Sequence, residues 1–174
     1  MCLVVILIAL AALSGCATTA KEEPLTAVGA KDSAGRATGE YRVVNTLGGT
    51  QSKGRFVAGY KEGLWIFWDS RGTRTAEIHY HENVASGPFR LFYSALAYPS
   101  AAGRLKRVGH ASGGHVVGEH IGYDIDGTII SRAVFRPTGA VTASIGTVEG
   151  ARSLAEADER LFLGLDQSIR DALR

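Results

Sequence analysis

Gly63-Leu64-Trp65-Ile66-Phe67-Trp68-Asp69-Ser70-Arg71-Gly72 decides the fold, because its spacing recurs along the chain. The intervals of Gly63-x-Trp65-x-x-Trp68-x-x-x-Gly72 are repeated in Gly118-x-His120-x-x-Tyr123-x-x-x-Gly127 and in Gly39-x-Tyr41-x-x-Val44-x-x-x-Gly48. Gly87-x-Phe89-x-x-Phe92 opens a further copy, whose closing glycine is displaced to Gly103. The leading glycines at 39, 63, 87 and 118 give steps of 24, 24 and 31 residues. The seven extra residues fall between Phe92 and Gly103, where Tyr98-Pro99-Ser100-Ala101 predicts a loop. The second half of each unit keeps its length: Gly48 to Gly63, Gly72 to Gly87 and Gly103 to Gly118 are each 15 residues. Self-similarity at such a period marks a repeat architecture.

Each unit reads as a β-hairpin. β-branched and aromatic residues cluster in short runs separated by glycine, which is the signature of strands and turns. A glycine closing Asp69-Ser70-Arg71 or Asp124-Ile125-Asp126 supplies the positive φ of a tight turn. Lys61-Glu62-Gly63 and Ala85-Ser86-Gly87 are expected to turn the opposite end. One hairpin cannot bury its own apolar face, so the units must stack side by side. The predicted fold is mainly β, a single elongated antiparallel meander sheet over 39–149. Trp65, Trp68, Phe89, Phe92, Tyr123 and Phe135 are expected to supply most of the burial. Successive strand side chains alternate, which sends Trp65 and Phe67 to one side and Leu64, Ile66 and Trp68 to the other. An aromatic on an uncovered face is a contact candidate, although packing is preferred for Trp65 and Trp68.

Outside the repeats, Leu3 to Leu13 are apolar without a break. Eleven residues fall far short of the ~20 that span a bilayer, and match a signal-peptide core helix over 1–15 instead. Leu13-Ser14-Gly15-Cys16 follows and resembles the bacterial lipobox. That resemblance implies cleavage between Gly15 and Cys16, and a diacylglycerol on the Cys16 thiol. No Lys or Arg precedes the apolar run, a departure from the usual signal. Cys2 lies in the part to be removed, so no disulfide is expected within the mature chain. The implied partner is a membrane and the implied location the cell envelope. Ala17 is compatible with an outer membrane, facing the periplasm, in a Gram-negative cell. Residues 16–38 are small and polar and read as a flexible tether.

Residues 63–72, then Glu77-Ile78-His79-Tyr80 and Gly87-Pro88-Phe89-Arg90-Leu91-Phe92-Tyr93, resemble the MORN repeat. The likeness is nearest to the bacterial YwqK-type variant, often labelled antitoxin-like. It covers 39 to about 139 and is best from 59 to 93. It implies an elongated, twisted sheet that scaffolds, or that binds a protein or lipid; the aromatic ladder itself could face a glycan, peptide or lipid. It supplies no catalytic residues. A lipidated protein outside the cytoplasm would not easily meet a cytoplasmic toxin, which weakens the antitoxin label.

The segment 150–174 is predicted to hold an amphipathic helix over 153–173. Ser153 with Glu156 would form a capping box. Leu154, Ala157, Leu161, Leu165, Ile169 and Leu173 fall on one stripe, with Asp158 and Asp166 placed elsewhere. Packing on the sheet is preferred to a role at a partner or a membrane surface.

The chemistry-bearing residues favour no enzyme. Nineteen basic and 17 acidic residues among 174, with no basic block, point away from nucleic acid. Asp124-Ile125-Asp126-Gly127 resembles the start of a calcium loop, but position twelve is Phe135 rather than Glu. A turn is the preferred reading. His79 and His81 share a strand face, and His110, His115 and His120 are evenly spaced. A zinc site needs three or four converging ligands, so solvent-facing histidines are preferred and metal binding is the alternative. The mature chain offers no free thiol, no Gly-x-Ser-x-Gly elbow and no phosphate loop, and no cofactor is implied.

Overall fold

The computed structural model describes residues 25–173. The signal helix, the Gly15–Cys16 site and the first part of the tether lie outside the described residues. Ten strands form one antiparallel sheet in sequence order. They are β1 (Thr26–Lys31), β2 (Ala37–Val44), β3 (Thr50–Val57), β4 (Tyr60–Trp68), β5 (Arg74–His81), β6 (Val84–Phe92), β7 (Leu105–Ser112), β8 (His115–Tyr123), β9 (Ile129–Phe135) and β10 (Val141–Ile145). A helix, α1 (Val148–Ala172), follows and packs on one face. The four repeats are the hairpins β2–β3, β4–β5, β6–β7 and β8–β9. β1 and β10 flank them as half-units. The tether expected over 16–38 is thus corrected in its second half. The small residues of 26–31 need no large apolar groups, because β1 is an edge strand held by its ladder to β2 and by Tyr41 Oη donating to the Ala30 carbonyl at 2.7 Å.

The two ends of the sheet turn by different chemistry. At one end Asn45, Asp69 and Asp124 each accept, through Oδ1, the amides two and four residues on, at 2.8–3.1 Å. The Asp124 oxygen is thereby spent on its own turn, as at Asp69. Gly48, Gly72 and Gly127 close these turns at φ of 80°, 77° and 91°. At the other end, two-residue turns use Ala58-Gly59, Glu82-Asn83 and Gly113-Gly114, with φ positive at both positions. That is the backbone of the hairpin turns whose twist matches the strands. The turns expected at Lys61-Glu62-Gly63 and Ala85-Ser86-Gly87 are therefore corrected: those residues lie within β4 and β6.

The leading glycines make bulges instead. Lys53 pairs with Ile66 and Arg55 with Glu62, so Gly54 alone faces Gly63, Leu64 and Trp65. Gly63 reaches φ 69° there, and such extra residues bend and twist a strand. Gly39, Gly87 and Gly118 hold the matching places. The bulge swings Trp65 over Gly54, where any Cβ would fall 2.2 Å from the indole.

The core lies between the sheet and α1. Tyr41, Phe56, Trp65, Phe67, Ile78, Phe89 and Leu91 are buried on this face. Tyr41 meets Phe56 edge-on at 5.0 Å, Phe56 meets Trp65 at 5.1 Å, and Phe89 meets Phe162 of the helix at 5.1 Å. Trp65 and Phe67 do share a face. Trp68, Phe92 and Tyr123 are only half-buried, which corrects the expectation that they supply the core. Three residues is an odd step on a strand, so each points away from the first aromatic of its own unit.

The helix also differs from its expected frame. It begins at Val148, because the Thr147 hydroxyl accepts the Gly150 amide at 3.0 Å; Ser153 lies inside it. Its buried stripe is Ala151, Ala155, Asp158, Phe162, Asp166 and Ile169. Leu161 is left exposed. Two aspartates took the inward positions because the sheet supplies their partners.

Candidate functional site

Those partners form two buried polar contacts across the helix–sheet boundary. Asp158 is bonded to the Arg107 guanidinium, and its other oxygen lies 2.9 Å from His120 Nε2. Asp158 and His120 are both fully buried. His120 occupies the place that Tyr41, Trp65 and Phe89 fill in the other units, and still stacks edge-on with Phe135 at 5.9 Å. Further along, Lys61 is bonded to Asp166, which also takes Arg170 at 2.5 Å. Burial lowers the Lys61 pKa and the Asp166 carboxylate opposes it. The Lys61 ammonium sits 4.1 Å from the Tyr80 ring centre. Burial, with the Asp166 charge adding, raises the Tyr80 hydroxyl above its ordinary value. These groups dock the helix.

The face opposite α1 carries no covering element among the described residues. Leu64 is exposed on it, beside the half-buried Ile66 and Val108. Charges flank them. Glu77 pairs with Arg74 at 2.5 Å and Arg90 at 3.4 Å, and the Arg74 guanidinium lies 4.4 Å over Phe92. Two shallow grooves of about 280 and 300 Å³ meet at Leu64, one towards His79, Pro88 and His110, the other towards Glu40 and Arg55.

The histidines do not converge. His79 Nδ1 is 3.0 Å from the Pro88 carbonyl, and His81 Nδ1 is 3.2 Å from Glu62. His115 reaches Glu159 on the helix at 3.3 Å. His110 is exposed while His120 is buried under α1. Among the described residues, no three His, Cys, Asp or Glu side chains gather as metal ligands. Of the residues singled out by the repeat, Trp65 and Phe89 face the helix, Trp68, Phe92 and Tyr123 face away, Gly39, Gly63, Gly87 and Gly118 form bulges, and Gly72 and Gly127 close turns.

The irregular unit builds the remaining feature. The segment between β6 and β7 folds back through a 3-10 turn, Pro99–Ala101. Asp69 Oδ2 accepts the Ser94 hydroxyl at 2.6 Å and the Ala95 amide at 2.9 Å. Tyr93 Oη donates to the Tyr123 carbonyl at 2.8 Å, and Arg104 to the Ile125 carbonyl at 3.0 Å. Both neighbouring turns thus hold the insertion. Burial pushes the Asp69 pKa up, but the Ser94 hydroxyl and the amides of Thr73, Arg71 and Ala95 outweigh it, so the carboxyl ionises below its ordinary 3.8. A depressed carboxylate stabilises above the unfolded value and loses that contribution as pH falls through the lower folded value. The insertion is therefore expected to loosen below about pH 4. Amide exchange at Ala95, corrected for intrinsic rates, should accelerate there and at every pH in Asp69→Ala. Equal protection at both ends of the titration would contradict this.

No protein-family model matches the chain, and comparison with curated proteins gives no match. Among solved structures, a GtfA/B complex bound to UDP and GlcNAc is similar at 10% identity and a TM-score of 0.33. The alignment covers 78% of this chain and 26% of that one. At that score the likeness assigns neither fold nor activity. No helix among the described residues is long and apolar enough to cross a membrane.

The repeat spacing identified the aromatics and the glycines but missed Lys61, Arg107, Asp158 and Asp166. One signal was present: His120 stands where three sister units carry a ring. A polar residue in a core slot asks for a partner, and an inward-facing aspartate answers it.

Proposed function

We propose that the protein is a lipid-anchored envelope component whose open sheet face binds a partner without catalysis. The observation that carries this reading is the uncovered face around Leu64 and Ile66, apolar at its centre and ringed by Glu77, Arg90 and Arg55. Apolar residues inside a charged rim are the usual make-up of an interface. The lipobox-like Leu13-Ser14-Gly15-Cys16 supplies the anchor, and a stable acyl anchor needs more than one chain, as lipoproteins of this kind carry. The MORN-like spacing agrees with a scaffold role.

Two measurements test it. Cys16→Ser should move the protein from the membrane to the soluble fraction; unchanged membrane retention would remove the anchor. A photo-crosslinker at Ile66 should trap a discrete adduct in cells, whereas one at Glu156 on the outer side of α1 should not. Equal or absent trapping at both positions would remove the interface.

A further inference from the structure

Beneath the insertion lies a cavity of about 200 Å³. Its floor is Ala76 and Leu91 of the sheet, one wall is Leu161 and Leu165 of α1, and the other is Ala97 and Tyr98. The lining is mostly apolar. Lys106 opens into it, with its ammonium 5.5 Å from the Tyr93 ring centre and 5.8 Å from that of Tyr98. Among the described residues no carboxylate comes within ion-pair distance of Lys106, whereas the adjacent Arg107 is bound to Asp158.

We propose that this cavity is a binding site for a short aliphatic carboxylate, a medium-chain fatty acid, with the chain between Leu161, Leu165 and Leu91 and the carboxylate on Lys106. The size limits the occupant, since the volume falls below the roughly 300–1,000 Å³ of drug-sized pockets. The charge selects it. Burial and the Arg107 cation lower the Lys106 pKa, with Asp158 opposing, and a carboxylate beside the ammonium would favour its charged form against both. The place in the fold agrees. The insertion is the one departure from the repeat length, and loop insertions in repeat proteins commonly shape binding faces. It is clamped by Asp69 and Tyr123, so the wall is already formed. This site is separate from the open face and does not depend on the lipid anchor.

The test is a titration of the full-length Cys16→Ser chain with carboxyl-labelled octanoate, followed by NMR. Saturable one-to-one binding is expected, with perturbations at Leu161 and Tyr98. Lys106→Met should weaken it by about tenfold or more, the worth of a charge-assisted hydrogen bond. Ala97→Trp, which fills the cavity, should abolish it, and Lys31→Met on the edge strand β1 should leave it unchanged. Octanol should bind more weakly than octanoate. Each variant is first checked for a wild-type melt. Non-saturable binding, or wild-type affinity in Lys106→Met, would overturn the proposal. So would a peptide with an apolar C-terminal residue binding where octanoate does not.

Discussion

Asp158→Ala is expected to lower the unfolding free energy by about 3–5 kcal/mol, the cost of removing one partner from a buried ion pair. The substitution strips Arg107 of its carboxylate and leaves His120 with neither ring nitrogen partnered, since Nδ1 already lacks a partner among the described residues. For a chain of this size the melting temperature should fall by roughly 6–20 °C. Urea unfolding followed by tryptophan fluorescence measures the loss, because Trp65 is buried and Trp68 half-buried. A companion variant separates pairing from packing. His120→Phe restores the ring that the sister units use, and with Arg107→Met and Asp158→Leu it makes the contact apolar. Apolar replacement of a whole buried network is often neutral or stabilising, so the triple variant should recover most of the loss. An Asp158→Ala protein within about 1 kcal/mol of wild type would show that the contact is not a buried dock.

Trp65→Ala should cost about 3–5 kcal/mol. Trp65 is wholly buried, touches Phe56 and Phe67, and lies flat over Gly54. The same contact makes Gly54→Ala costly by overpacking, about 1–3 kcal/mol or more, with no backbone penalty because Gly54 is not among the residues at positive φ. The two effects must be coupled. In a Trp65→Ala background the methyl at 54 meets space, so Gly54→Ala should then be nearly neutral. A double-mutant cycle checks this, and strictly additive losses would rule out the close approach.

These two predictions divide what was legible in the sequence from what was not. The hairpins, the meander and the parity of Trp65 against Trp68 follow from local spacing, because a strand's alternation and a turn's glycine are set within a few residues. The place of the turn opposite each closing glycine did not follow: a glycine at positive φ serves a turn or a bulge equally well, and Gly63 is a bulge, with the turn at Ala58-Gly59. The helix frame failed for a different reason. Leucines at 154, 161 and 165 suggested the inward stripe, yet Asp158 and Asp166 face inward because Arg107, His120 and Lys61 await them. Those pairs are 38 to 105 residues apart, beyond the reach of any local pattern. The lining of the cavity under the insertion was hidden likewise, since Leu161 and Leu165 meet Lys106 only after the helix has docked.

The course of α1 has a thermodynamic consequence. A sheet of stacked hairpins is a nearest-neighbour array, in which each unit feels only the next and the ends can melt alone. Here a helix about 37 Å long runs back over the sheet. It touches β8, β9 and β10, reaching β8 through Glu159 at its middle, and its last residues join β1 in one apolar cluster. The first and last strands are thereby linked through a single rigid rod. Fraying of β1 weakens the seat of Leu173, and loss of the final helical turn is felt at the opposite end of the chain. The array becomes one cooperative unit, so native-state hydrogen exchange should report a common opening free energy for β2 through β9, in place of a gradient from the edges to the middle.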